Sequence, residues 1–268
     1  MINILQTEFF RLKKSALFWS LFGVCAAIPL LSLLLNLASV QYLDMQDTGL
    51  DNVWEYVRSL NITGEMLSGL PSLSGDSLFA LICTSIFLSK EFSGGTFRNM
   101  LLANRSRKEV YLSFLVVAIT IGASYLGITF ASTLLFNGVV FGFGTMTGAE
   151  AVTTCVLALA MGLISVIFLQ TVMCMFMFLT RKLAVALACP LVICIVAPTF
   201  VYSFVETFAT MGMITETDMS WIPLYNLNLL DLTNVDGALI GKILLYLVPL
   251  TALFGSLGWI FFRKADLK

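Results

Sequence analysis

This chain of 268 residues has no histidine and little charge: 12% of its residues are Asp, Glu, Lys or Arg, against about 25% in a water-soluble domain. Without imidazole, His-based zinc sites and Ser-His proteolysis within a membrane are excluded. No G-x-x-x-x-G-K-[ST] segment occurs, so the chain has no P-loop with which to cradle a nucleotide. A T-V-G-Y-G potassium filter is missing as well. Ser74-Gly75-Asp76 follows Leu73 rather than the glycine that a Gly-x-Gly-Asp protease motif requires. The six cysteines (Cys25, Cys83, Cys155, Cys174, Cys189 and Cys194) show neither metal-ligand nor redox spacing and read as small apolar packing residues.

What is present is apolar. Hydrophobic residues make up 59% of the chain, and its mean hydropathy is +0.94. A soluble domain of this composition would expose much of that surface to water. At about 20 residues per helical crossing, the length suits six crossings. Six apolar runs meet the need, at 16–40, 75–89, 111–136, 151–179, 183–205 and 238–262. Hydrocarbon cannot satisfy an open backbone, so each reads as a helix. The runs are continuous rather than alternating, which excludes a β-barrel. The first is too long for the hydrophobic region of a signal peptide and reads as a retained span.

The charges set an expected topology. Thirteen of the 15 basic residues flank the spans on one side, and Arg58 and Lys242 fall on the other. By the positive-inside rule the basic side is cytoplasmic, with both termini on it, in a multi-pass protein of the plasma membrane. Twelve of the 16 acids lie on the opposite face. The net charge of −1 therefore hides a basic inner face and an acidic outer one, and nothing in it points to nucleic acid.

Two flanking segments carry further pattern. Ile2, Leu5, Phe9 and Leu12 recur at three-to-four-residue spacing, which predicts a helix over 1–15 lying in the inner interface; a plain basic flank is the alternative. Between spans 2 and 3, Gly94 and Gly95 break the helix and Thr96 can cap a new one. Phe97, Met100 and Leu101 then form an apolar stripe, with Arg98 and Asn99 facing water. Ser106 and Glu109 make an S-x-x-E capping box for span 3. A short amphipathic helix between hinges can pass a push from a cytoplasmic partner into two spans.

Glu91, then Gly95-Thr96, then a short helix ending in Arg105-Ser106-Arg107-Lys108-Glu109, set among six spans and an N-terminal interfacial helix, resembles the permease subunits of type-2 ABC transporters. The resemblance implies a transport subunit that is not itself an enzyme. It implies pairing with a second copy or a paralogue, and a separate ABC ATPase that binds the ATP-Mg; this chain then carries no cofactor. It assigns ATPase coupling to Glu91, Gly94, Gly95, Thr96, Phe97, Arg98 and Leu101. It also implies that spans 2 and 5 line the route. The expected fold is an all-α membrane protein: six spans, an N-terminal interfacial helix, a cytoplasmic coupling helix between spans 2 and 3, and a partly buried outer segment between spans 5 and 6.

The candidate route is uncharged. Span 4 supplies Met161, Phe168, Met173, Met175, Phe176, Met177 and Phe178, and span 5 supplies Phe200, Tyr202 and Phe204. Such surfaces adapt to varied apolar ligands; lipid-facing or packing bulk is the alternative. Asn36, Asn137, Gln170 and Thr171 are polar within spans, for interhelical hydrogen bonds or for cargo. An amphipathic or hydrophobic cargo fits, and the resemblance extends to exporters of antimicrobial or cytolytic peptides such as phenol-soluble modulins and lantibiotics. Export of lipid or drugs, a secondary ion-coupled carrier, and a structural or receptor-like subunit are the other readings.

Overall fold

The computed structural model describes residues 2–45, 75–96, 100, 106–142, 148–196, 200–201, 203–204, 207–208 and 237–264. Among the described residues the structure is helical, without strands. In chain order the helices are α1 (Ile2–Lys13), α2 (Ala16–Met45), α3 (Gly75–Ser93), α4 (Arg107–Phe141), α5 (Gly148–Thr180), α6 (Leu183–Leu191) and α7 (Gly237–Lys264). The last turn of α6 runs on into a five-residue π-helical segment, Val192–Val196. The outer segments expected at 41–74 and 206–237 lie largely outside the described residues.

Four helices, α2, α4, α5 and α7, are long and apolar enough to cross a membrane, and α6 with its π segment is a shorter apolar helix. α3 is 19 residues long, with Asp76 in its first turn and Lys90 and Glu91 near its end. α2, α4 and α7 run past the apolar stretches they contain because polar flanks continue the hydrogen-bond ladder beyond the greasy stretch. Each junction has a local cause. Ser15 ends the turn after α1, and its hydroxyl accepts the Phe18 amide at 3.4 Å, capping α2. Ser106 caps α4 by accepting the Glu109 amide at 3.2 Å, as the S-x-x-E pattern predicts. Arg181 takes the left-handed conformation, φ 55°, and so lets α5 turn into α6 across two residues.

Among the described residues, Pro29 sits inside α2, Pro190 inside α6 and Pro249 inside α7. Pro190 lacks an amide donor, and the π segment begins two residues later, where the ladder has already lost a rung. Pro198 lies outside the described residues.

α4 and α5 form the centre of the bundle. α4 packs on α2, α3 and α5, while α5 packs most extensively on α7. In hydrocarbon, water does not drive helices together, so close van der Waals approach must. Gly258 shows how close: a Cβ there would lie 2.8 Å from the Tyr111 hydroxyl and 3.3 Å from the Met175 Cα. With hydrogen at that position, α7 approaches the α5 backbone directly. The Tyr111 hydroxyl then donates to the Gly255 carbonyl at 2.7 Å, tying α4 to α7.

Candidate functional site

The basic ends of α3, α4, α5 and α7 meet in an aromatic cluster. Phe178 of α5 lies 5.8 Å from the ring of Phe92, 5.2 Å from Tyr111 and 4.9 Å from Phe262. Edge-to-face pairs at such spacing contribute about 0.5–1.5 kcal/mol each beyond simple burial. Arg107 extends the tie by donating to the Arg263 carbonyl at 2.5 Å. Phe92 is the penultimate residue of α3, so one side of that last turn is anchored in the cluster.

The other side is held by charge. Glu91 is buried, 2% exposed, and its Oε2 accepts from Arg11 Nη1 of α1 at 2.6 Å. The same guanidinium nitrogen lies 3.4 Å from Oε1 of Glu8. Glu8 is itself fully buried, between Ile4 and Leu12 on the packed face of α1, and its Oε2 has no hydrogen-bond partner among the described residues. Burial, followed by the negative charge of Glu91, pushes the Glu8 carboxyl up from 4.5 to about 7, against the opposing pull of Arg11.

Just past this grip the helix stops. Gly94 donates back to the Lys90 carbonyl at 2.8 Å and Gly95 to the Phe92 carbonyl at 3.3 Å. Gly95 sits at φ 68°, in the left-handed region that glycine enters without penalty. Thr96 is already helical and half-buried, and Met100 packs half-buried against the core. Phe97, Arg98 and Leu101 lie outside the described residues.

Placement differs from expectation in three respects. On α1, Leu5 and Phe9 are half-buried and Leu12 is buried, but the stripe turned most fully inward is Ile4, Glu8 and Leu12. Ile2 lies in the first turn of α1. Glu8 and Arg11 were not singled out from the sequence, although a carboxylate four residues from each of two buried aliphatics is the signal that marks them. Secondly, the methionines and phenylalanines of α5 do not offer a surface: Met161, Phe168, Met173, Met175, Met177 and Phe178 are all buried against neighbouring helices. Packing, not an open route, accounts for them, because α5 is enclosed by α3, α4, α6 and α7. Phe200 and Phe204 are exposed, and Tyr202 lies outside the described residues. Thirdly, Asn137 and Gln170 are each 1% exposed, yet Asn137 Oδ1 and Gln170 Oε1 find no hydrogen-bond partner among the described residues.

All six cysteines are free, and four of them are buried. Among the described residues no group of His, Cys, Asp or Glu is arranged to hold a metal ion. An uncharged helical bundle whose charges gather at its helix ends is that of a multi-pass membrane protein. The family model for ABC-2 family transporter proteins matches residues 4–205, and the chain belongs to that family. It is accordingly an ABC transporter permease subunit, and membership implies an ABC ATPase as partner. Comparison with curated proteins and with solved structures gives no match.

Proposed function

We propose that this chain is the membrane permease of an ATP-driven exporter in the plasma membrane, with both termini cytoplasmic and six spans, α3 and α6 with the residues that follow it being the second and fifth. The loop after α3 is the coupling element: it receives the motion of a separate ATPase subunit, which alone binds ATP-Mg, and passes it to α3 and α4. A second copy or a paralogue completes the route. The observation that carries this reading is the end of α3, gripped on both flanks by Phe92–Phe178 and Glu91–Arg11 and released immediately afterwards at the Gly94–Gly95 turn. A rigid arm followed by a bend is what a lever needs.

The described helices support an external motor. In the long apolar helices α2, α4, α5 and α7 the charged residues lie in first or last turns, with Lys242 of α7 one turn deeper; the buried Glu8 belongs to α1, outside the spans. Proton-coupled carriers place a titratable carboxylate within the membrane. The uncharged bundle favours an amphipathic or hydrophobic cargo, and an antimicrobial or cytolytic peptide is the cargo we propose, with lipid or drugs next. Phe200, Tyr202 and Phe204 are the proposed path residues. The test is purification from native membrane followed by reconstitution. An ATPase subunit is expected to co-purify, and Phe97→Asp is expected to abolish stimulation of its ATPase while insertion persists. Export that stops at once when the proton gradient is collapsed at constant ATP would favour the ion-coupled carrier instead.

A further inference from the structure

The charge cluster at α1 holds one cation between two carboxylates. Arg11 lies 2.6 Å from Glu91 and 3.4 Å from Glu8, and both acids are buried. The Arg11 side chain is itself 41% exposed, but two ionised carboxylates around its one guanidinium would leave net negative charge on buried acids, which is costly. The economical state puts a proton from the solvent on one of them. Glu8 is the carboxyl less well served, because its bond to Arg11 is the longer and its Oε2 is unpartnered among the described residues. We propose that Arg11 is a positioning residue that joins α1 to the loop end of α3 through Glu91, and that Glu8 holds the proton that keeps this joint tight.

Rising pH would remove the proton. Glu8 then competes with Glu91 for Arg11 and repels it, so α1 loosens from α3. The carboxyl range of Glu8, raised to about 7 first by burial and then by Glu91, places this change near neutrality. Of the elements packed on α1, α3 brings Glu91 to Glu8. The first turn of α4, which packs on α1, carries Arg107, Lys108 and Glu109; among the described residues the charged groups that act on Glu8 are Glu91 and Arg11. With Phe92 fixed against Phe178 on the opposite flank, a push at the Gly94–Gly95 turn rocks the end of α3 about the aromatic contact and pulls on Glu91. Arg11 carries that pull into α1.

The inference rests on reading the loop as the contact of the driving subunit, but its first test needs no ATPase. Nitroxide labels at Phe10→Cys and Ser93→Cys, both exposed positions, would be placed in the cysteine-free full chain in nanodiscs. The interlabel distance should be narrowly distributed at pH 6, and longer and broader at pH 8. Glu8→Gln should keep it narrow at both values, and Arg11→Gln should leave it broad at both. The exchange Arg11→Glu with Glu91→Arg should restore the narrow distribution at pH 6. A distribution indifferent to pH and to Arg11→Gln would overturn the proposal, as would a pH response undiminished in Glu8→Gln. In the complex with its ATPase, Arg11→Gln should cut stimulation about fivefold or more, the scale of an ordinary coupling between sites, and the exchange should recover it. Absence of any associating ATPase would sink the transporter reading while leaving the distance result to judge the joint.

Discussion

Glu8 is a residue whose behaviour the surrounding structure changes strongly. Its carboxyl is raised from 4.5 to about 7 by burial and by Glu91, so between those values the native chain holds a proton that the unfolded chain has released. The acid is stabilised in its neutral form. Stability is therefore full below about pH 4.5, falls as pH rises toward 7, and levels off above it. A shift of that size corresponds to the order of 3 kcal/mol across the window. Thermal unfolding of the detergent-solubilised chain should show a midpoint falling over this range, and Glu8→Gln should flatten that part of the profile. A profile equally steep in Glu8→Gln would mean that other groups carry the slope.

At the scale of elements, the end of α3 depends on one backbone angle. Gly95 sits at φ 68° with open space where a Cβ would point, so substitution there tests conformation without adding a clash. The left-handed region costs an ordinary residue about 1–2 kcal/mol, and asparagine tolerates it better than a β-branched residue does. Gly95→Asn should retain most ATPase stimulation in the reconstituted complex, and Gly95→Val should lose most of it with little change in expression. Equal activity in the two would show that the bend is not required. The Gly94-Gly95 pair was legible in the sequence because glycine punctuates helices wherever they occur. The grip on the preceding turn was not, since Arg11 and Glu91 are 80 positions apart and nothing local to either names the other.

For the whole molecule, the proposed topology puts the basic helix ends in the cytoplasm. Cysteines introduced at Asp51 and Thr217, in an otherwise cysteine-free chain, should react with an impermeant thiol reagent added outside intact cells. One at Asn104 should react only after permeabilisation. The opposite labelling would invert the orientation of the bundle. The aromatic cluster formed by Phe92, Tyr111, Phe178 and Phe262 belongs to this scale too, because it fastens the ends of four helices together on one side of the bundle. A movement begun at α3 thus reaches α4, α5 and α7 without passing through the loops.

By itself the sequence determined that this is a helical membrane protein, because long uncharged runs admit no other backbone state in hydrocarbon. It also determined where α4 starts, at Ser106, because a capping hydroxyl acts on amides two or three residues away. It could not say which side of each helix faces a neighbour. In a span that is apolar all round, no periodicity separates lipid from protein, and so the methionines of α5 could be read as a route until packing buried them. Only the tertiary structure decided that Glu8 and Glu91 would share one arginine, because a charge acquires its meaning from what lies across from it in space.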